Sequence, residues 1–125
     1  MRISGEAVGA ILTHARNCEP EECCGLIATD DGEIVFVYPL TNVDRSPRSF
    51  TSAPDEALGA FLHAERSGWA IGGVFHSHPS GPEIPSKRDI TEAADERWLH
   101  LLVSPSGLKC FKIADGVVHE IELVD

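Results

Sequence analysis

Nowhere in this chain of 125 residues does an apolar run approach the roughly 18 to 20 residues that a membrane-spanning helix needs. The opening stretch, MRISGEAVGA, also lacks the basic, then apolar, then small-residue plan of a secretory signal, so the expected compartment is the cytoplasm. Basic residues are scarce. Ten Lys and Arg stand against 20 Asp and Glu, a formal net charge of -10 with no local basic run to offset it. Such a surface repels phosphate, so neither nucleic acid nor an anionic membrane is an expected partner. Only four cysteines are present (Cys18, Cys23, Cys24, Cys110), two of them adjacent, and without an export signal a disulfide framework is not expected. Gly 11 and Pro 8 are too few for low complexity, and no internal repeat or linker interrupts the chain. What remains is 42% hydrophobic and 24% charged, the composition of one globular domain over residues 1–125. That length buries a core without disulfides or a structural metal, and it leaves the oligomeric state open.

Ser4 suits an N-cap, and Ala7, Val8, Ala10, Ile11, Leu12 and Ala15 form a helical stripe that ends before Pro20. CCGLIAT and EIVFVYPL read as two strands of a hairpin across Asp30-Asp31-Gly32. Phe50 to Ser52 is expected as a short strand, and Pro54 begins a second helix running towards Gly68. WAIGGVFH is the next strand. Ser86 caps a short helix expected to reach Ala94, and WLHLLVS, LKCFKIA and VVHEIELV follow as strands cut by PSG and DG. The sum is a mixed α/β domain, with a largely antiparallel sheet of about six to eight strands and two or three helices.

The segment GGVFHSHPSGPEIPSKRD carries the chemistry. At a strand's end, residues i and i+2 share a face about 6 to 7 Å apart, so His76 and His78 can close on one metal ion while Ser77 points away. Pro79, Gly81, Pro82 and Pro85 turn the chain and can return Asp89 to the histidines. Two imidazoles and one carboxylate leave a fourth tetrahedral position open, the pattern of catalytic zinc. A plainer reading competes: Ser86-Lys87-Arg88-Asp89 has the spacing of a capping box, and an Asp89 bound to metal is expected to cap poorly. Upstream, EPEECCGLIA sets Glu21 and Glu22 at the start of an apolar strand, where either residue suits acid/base work or plain solvation.

PEECCGLI followed by HSHPSGPEIPSKRD resembles the JAMM (MPN+) metalloprotease family, whose glutamate, His-Ser-His-Pro, serine and aspartate positions are all matched. The resemblance runs over essentially the whole chain. It implies a curved, mostly antiparallel mixed sheet flanked by helices, in a layering like that of cytidine deaminase. It also implies His76, His78 and Asp89 as ligands of one zinc with a catalytic water, Glu22 as general base, and Ser86 as hydrogen-bond donor to the oxyanion. The implied activity is hydrolysis of peptide or isopeptide bonds, with a non-catalytic module gripping a ubiquitin-like partner as the alternative. The chain is too short for the long insertions of the eukaryotic deubiquitinases and is more similar to small stand-alone bacterial members. LTNVDRSPRSF is similar to a segment of the type that removes cysteine from a sulfur carrier, so the implied partner is a ubiquitin-like carrier ending in Gly-Gly. Glu21 is expected to be dispensable, Cys24 to pack beneath the site, Trp69 and Trp98 to be core, and His14, His63, His100 and His119 to be ordinary histidines. His-Glu-x-x-His and the deaminase signature are absent.

Overall fold

The computed structural model describes all 125 residues. The elements in order are α1 (Gly5–Cys18), β1 (Cys24–Asp30), β2 (Glu33–Leu40), α2 (Pro54–Arg66), β3 (Ala70–Ser77), α3 (Lys87–Glu92), β4 (Leu99–Ser104), β5 (Gly107–Ala114) and β6 (Val117–Ile121). They build one six-stranded sheet in the order β2-β1-β3-β4-β5-β6. All neighbours pair antiparallel except β3 and β4, which run parallel because α3 and its flanking loops carry the chain back across the sheet.

Local sequence explains most boundaries. The Ser4 side chain accepts from the Ala7 amide and starts α1, and Pro54 occupies the first turn of α2, where its missing N–H costs nothing. Asp31-Gly32 and Asp115-Gly116 have positive φ at both residues, 50° and 76° in one and 51° and 74° in the other. These are the two-residue turns that match strand twist, and they fix the β1–β2 and β5–β6 registers. Two expectations are corrected. Phe50 to Ser52 is not a strand: Ser52 makes a single bridge with Asn42, flanked by the Val43 amide on the Thr51 carbonyl and the Ala53 amide on the Thr41 carbonyl, and the Asn42 side chain takes the Thr51 amide. The third helix stops at Glu92 rather than Ala94 because Ala93 turns to an extended backbone.

Period two in β1 divides the core. Cys23 and Ile27 face α1, packing with Ile11, Phe75, Leu101 and Val103, whereas Cys24 and Leu26 face α2 with Leu40 and Ala60. Gly25 lies between them, directly on the Phe75 ring. No helix is long and apolar enough to cross a membrane. A Cβ at Gly25 would overlap the buried Phe75 ring and crowd the Tyr38 carbonyl at 2.5 Å. Gly25→Ala is therefore expected to destabilise the fold by about 2 to 3 kcal/mol, read as a lower urea midpoint with unchanged slope.

Candidate metal centre

The site forms where β3 leaves the sheet. Cys24 pairs with His76, and the contact continues as the Ser77 amide donates to the Cys23 carbonyl at 3.3 Å and the Cys23 amide to Ser77 Oγ at 2.8 Å. Continuing that antiparallel register sets Glu22 opposite His78. His76 and His78 share the α2 face of the sheet, their rings 5.1 Å apart, and Ser77 is turned the other way, as the alternation requires.

Glu22, His76 and His78 are buried, with ligand atoms all within 4.8 Å of one another. Glu22 Oε1 lies 3.4 Å from His76 Nδ1. Asp89 Oδ2 lies 3.7 Å from His76 Nε2 and 3.3 Å from His78 Nε2. Metal arms of about 2.0 to 2.1 Å give tetrahedral edges of about 3.3 to 3.4 Å, which the Asp89 separations approach. Glu22 and Asp89 thus meet opposite nitrogens of the His76 ring. Two features fit the donor set to a divalent ion. Glu22 Oε1 and His76 Nδ1 are buried without a hydrogen-bond partner. His78 Nδ1 lies 2.9 Å from the Pro82 carbonyl, to which only an N–H can bond, so in the neutral ring Nε2 carries the lone pair, on the side facing Asp89.

The capping box is complete, and it leaves the Asp89 carboxylate facing the histidines. The Ser86 amide donates to Asp89 Oδ2 at 2.7 Å and the Asp89 amide to Ser86 Oγ at 3.0 Å, a complete capping box on α3. A carboxylate oxygen has two lone pairs, so Oδ2 accepts from Ser86 on one side and faces the histidines on the other. Burial would raise the Asp89 carboxyl, but the bond with His78, the proximity of His76 and the Ser86 contacts hold it well below the usual carboxylate range. For His78, burial acts downward and is outweighed by Asp89 and the Pro82 carbonyl, which raise it. Ser86 Oγ accepts from the Asp89 amide, and its hydroxyl lies beside the Asp89 carboxylate.

Glu21 and Glu22 part company as the extended segment predicts: Glu21 reaches Arg45 at the surface, 3.8 Å away. Burial pushes the Cys23 thiol up to about 12, so it is no nucleophile at neutral pH, and all four cysteines are free. Beside His76 and Asp89 lies a cavity of about 240 Å³ walled by Phe50, Val74, Trp98 and His100. Sequence reading missed this wall. His100 is buried opposite Val74 with an unpartnered Nε2, and burial lowers its imidazole. Trp98 is half-buried, packed against the Cys24 and Leu26 side of the core as expected and also lining the cavity, and Trp69 stacks on the exposed Phe36. The alternation of Trp98, His100 and Leu102 marked one face of β4, but nothing local said that it met His76.

Known proteins decide the family. The model for prokaryotic homologs of the JAB domain matches residues 5–114. This chain belongs to that family. It is 37% identical to a Thermus thermophilus protein named "Probable TtuB-protein conjugate cleaving protease", over 84% of this chain and 69% of that one. It is 30% identical to the CysO-cysteine peptidase of Mycobacterium tuberculosis, over 94% and 86%. A solved protein of Desulfitobacterium hafniense superposes with a TM-score of 0.86 at 35% identity, covering 98% of this chain and 90% of that one.

Two overlapping triads, Glu22-His76-His78 and His76-His78-Asp89, are separable by metal binding. Zinc titration of the metal-free chain is expected to saturate at one equivalent. Glu22→Gln should keep that equivalent and Asp89→Ala should lose it, and the reverse pattern would assign the first triad as the ligands.

Proposed function

We propose that this protein is a cytoplasmic zinc hydrolase that cuts the amide bond at the C-terminal end of a ubiquitin-like carrier protein, releasing cysteine. The reading is supported chiefly by one observation: two imidazoles and two carboxylates from three separate segments gather in one cluster, Asp89 Oδ2 against His76 Nε2 and His78 Nε2, and Glu22 Oε1 against His76 Nδ1. When bound, zinc supplies Lewis-acid polarisation of the scissile carbonyl and brings the pKa of a water towards 7. His76, His78 and Asp89 would hold it. Glu22 accepts the proton of the attacking water at Oε1 and returns it to the leaving nitrogen. The Ser86 hydroxyl, at the edge of the cluster, donates to the carbonyl oxygen as it turns negative, a contribution of about 3 to 4 kcal/mol. Asp89 and the Pro82 carbonyl keep the two imidazoles oriented.

A Gly-Gly tail suits such a site because glycines carry no side chains to clash in a narrow cleft and leave the backbone free to pair. Cysteine as the leaving group is supported by the Mycobacterium tuberculosis relative, whose similarity spans nearly the whole chain. The Thermus thermophilus relative favours a conjugated protein as the second reading.

Zinc-loaded protein incubated with a ubiquitin-fold carrier ending in Gly-Gly-Cys is expected to yield carrier-Gly-Gly and free cysteine by intact mass. Survival of that adduct while an isopeptide-linked conjugate is cut selects the second reading. Glu22→Gln should lower the rate by about 10² to 10⁴ because an amide cannot take the proton, while Glu21→Gln stays near wild type. Equal behaviour of the two variants would refute the general base.

A further inference from the structure

We propose that Asn42 is a positioning residue of this site, its buried carboxamide fixing the Glu22 main chain and the Phe50 ring against His76 at the same time. The proposal rests on the hydrolase reading above. Asn42 Nδ2 donates to the Glu22 carbonyl at 3.0 Å and to the Ser49 carbonyl at 2.9 Å. Its Oδ1 accepts from the Asp44 amide at 3.0 Å and the Thr51 amide at 3.1 Å. A carboxamide has two donor hydrogens and two acceptor lone pairs, so all four of its capacities are used.

The partners are not a random set of loop atoms. Ser49 and Thr51 bracket Phe50, whose ring stacks on His76 with centroids 4.8 Å apart and planes 23° from parallel, and which also walls the cavity. Glu22 precedes β1 and so has no ladder partners of its own. Its amide donates to Ser46 of the same loop at 2.9 Å, and its carbonyl takes the Asn42 bond. Residues 41–53 therefore replace the missing strand beside Glu22, and Asn42 is the one side chain that ties this replacement to the ring packed on His76. Aspartate has the shape but would set a carboxylate against two carbonyl oxygens, and it lacks both donors.

The test compares zinc-loaded wild type with Asn42→Asp, Asn42→Ala and Ser49→Ala, the last cutting only the exposed Ser49–Asp44 bond of the same loop. Asn42→Asp and Asn42→Ala are expected to keep one zinc per chain and to lower kcat by about 10²-fold with KM changed far less, the consequence of a displaced proton acceptor. Ser49→Ala should match wild type. In the metal-free chain, the His76 ring protons should lose the upfield shift imposed by Phe50 in both Asn42 variants. Loss of zinc along with activity, or a kcat within twofold of wild type, would overturn the positioning role. Should wild type itself cut neither adduct, the hydrolase reading fails, and the His76 resonances alone then decide: unmoved in Asn42→Asp, they refute the proposal. Without any variant, the Asn42 side-chain amide protons are expected to resist solvent exchange, and exchange at the rate of an exposed asparagine would equally refute it.

Discussion

The register between β1 and β3 is the constraint on which the site depends. With Cys24 opposite His76, Glu22 must fall opposite His78, and a slip of one residue would turn the histidines to the other face of the sheet. Two features hold that register. β3 is interior, bonded to β1 on one side and to β4 on the other, and Gly25 admits the Phe75 ring where any side chain would block it. The Ser77 hydroxyl extends the pairing past the last regular residue by accepting from Cys23. The two histidines and Glu22 are thus set by the same ladder that builds the core.

Asp89 reaches the histidines by a different route. It belongs to a six-residue helix with no buried residues, too short to be stable without tertiary support. Its capping box gives the carboxylate a fixed place on the chain, and the facing imidazoles give the helix a fixed place on the sheet. Each contact stabilises the other. A residue that looked obliged to choose between capping and facing the cluster does both through a single oxygen, because the directions of its two partners differ.

Burial then sets the electrostatic tone. Removing Glu22, His76 and His78 from water raises the cost of any unpaired polar atom, and of the three buried atoms left without partners two, Glu22 Oε1 and His76 Nδ1, lie in the cluster and the third, His100 Nε2, in the cavity wall beside it. The carboxylates at and beside this cluster, Glu22, Asp89, Glu92 and Asp95, suit a cation better than an anion. The adjoining cavity joins apolar walls from Phe50, Val74 and Trp98 to the carboxylates of Asp89, Glu92 and Asp95.

Much of this was legible in the residues themselves. Ser4, Pro54, the two Asp-Gly turns and the Ser86-x-x-Asp89 spacing act over a few positions, so helix starts and hairpins follow from the sequence, as does the shared face of His76 and His78. Resemblance to a family picked Glu22 over Glu21 where the local pattern allowed either. Only the tertiary structure decided that Asp89 serves the cap and the histidines together, that Phe50 is a pinned loop residue rather than a strand, and that His100 and Trp98 wall a cavity beside His76. The division has a physical cause. Turn and cap signals are carried by neighbours a few bonds apart, whereas the meeting of Asn42, Glu22 and His76 is fixed by packing between segments that the sequence separates by tens of residues.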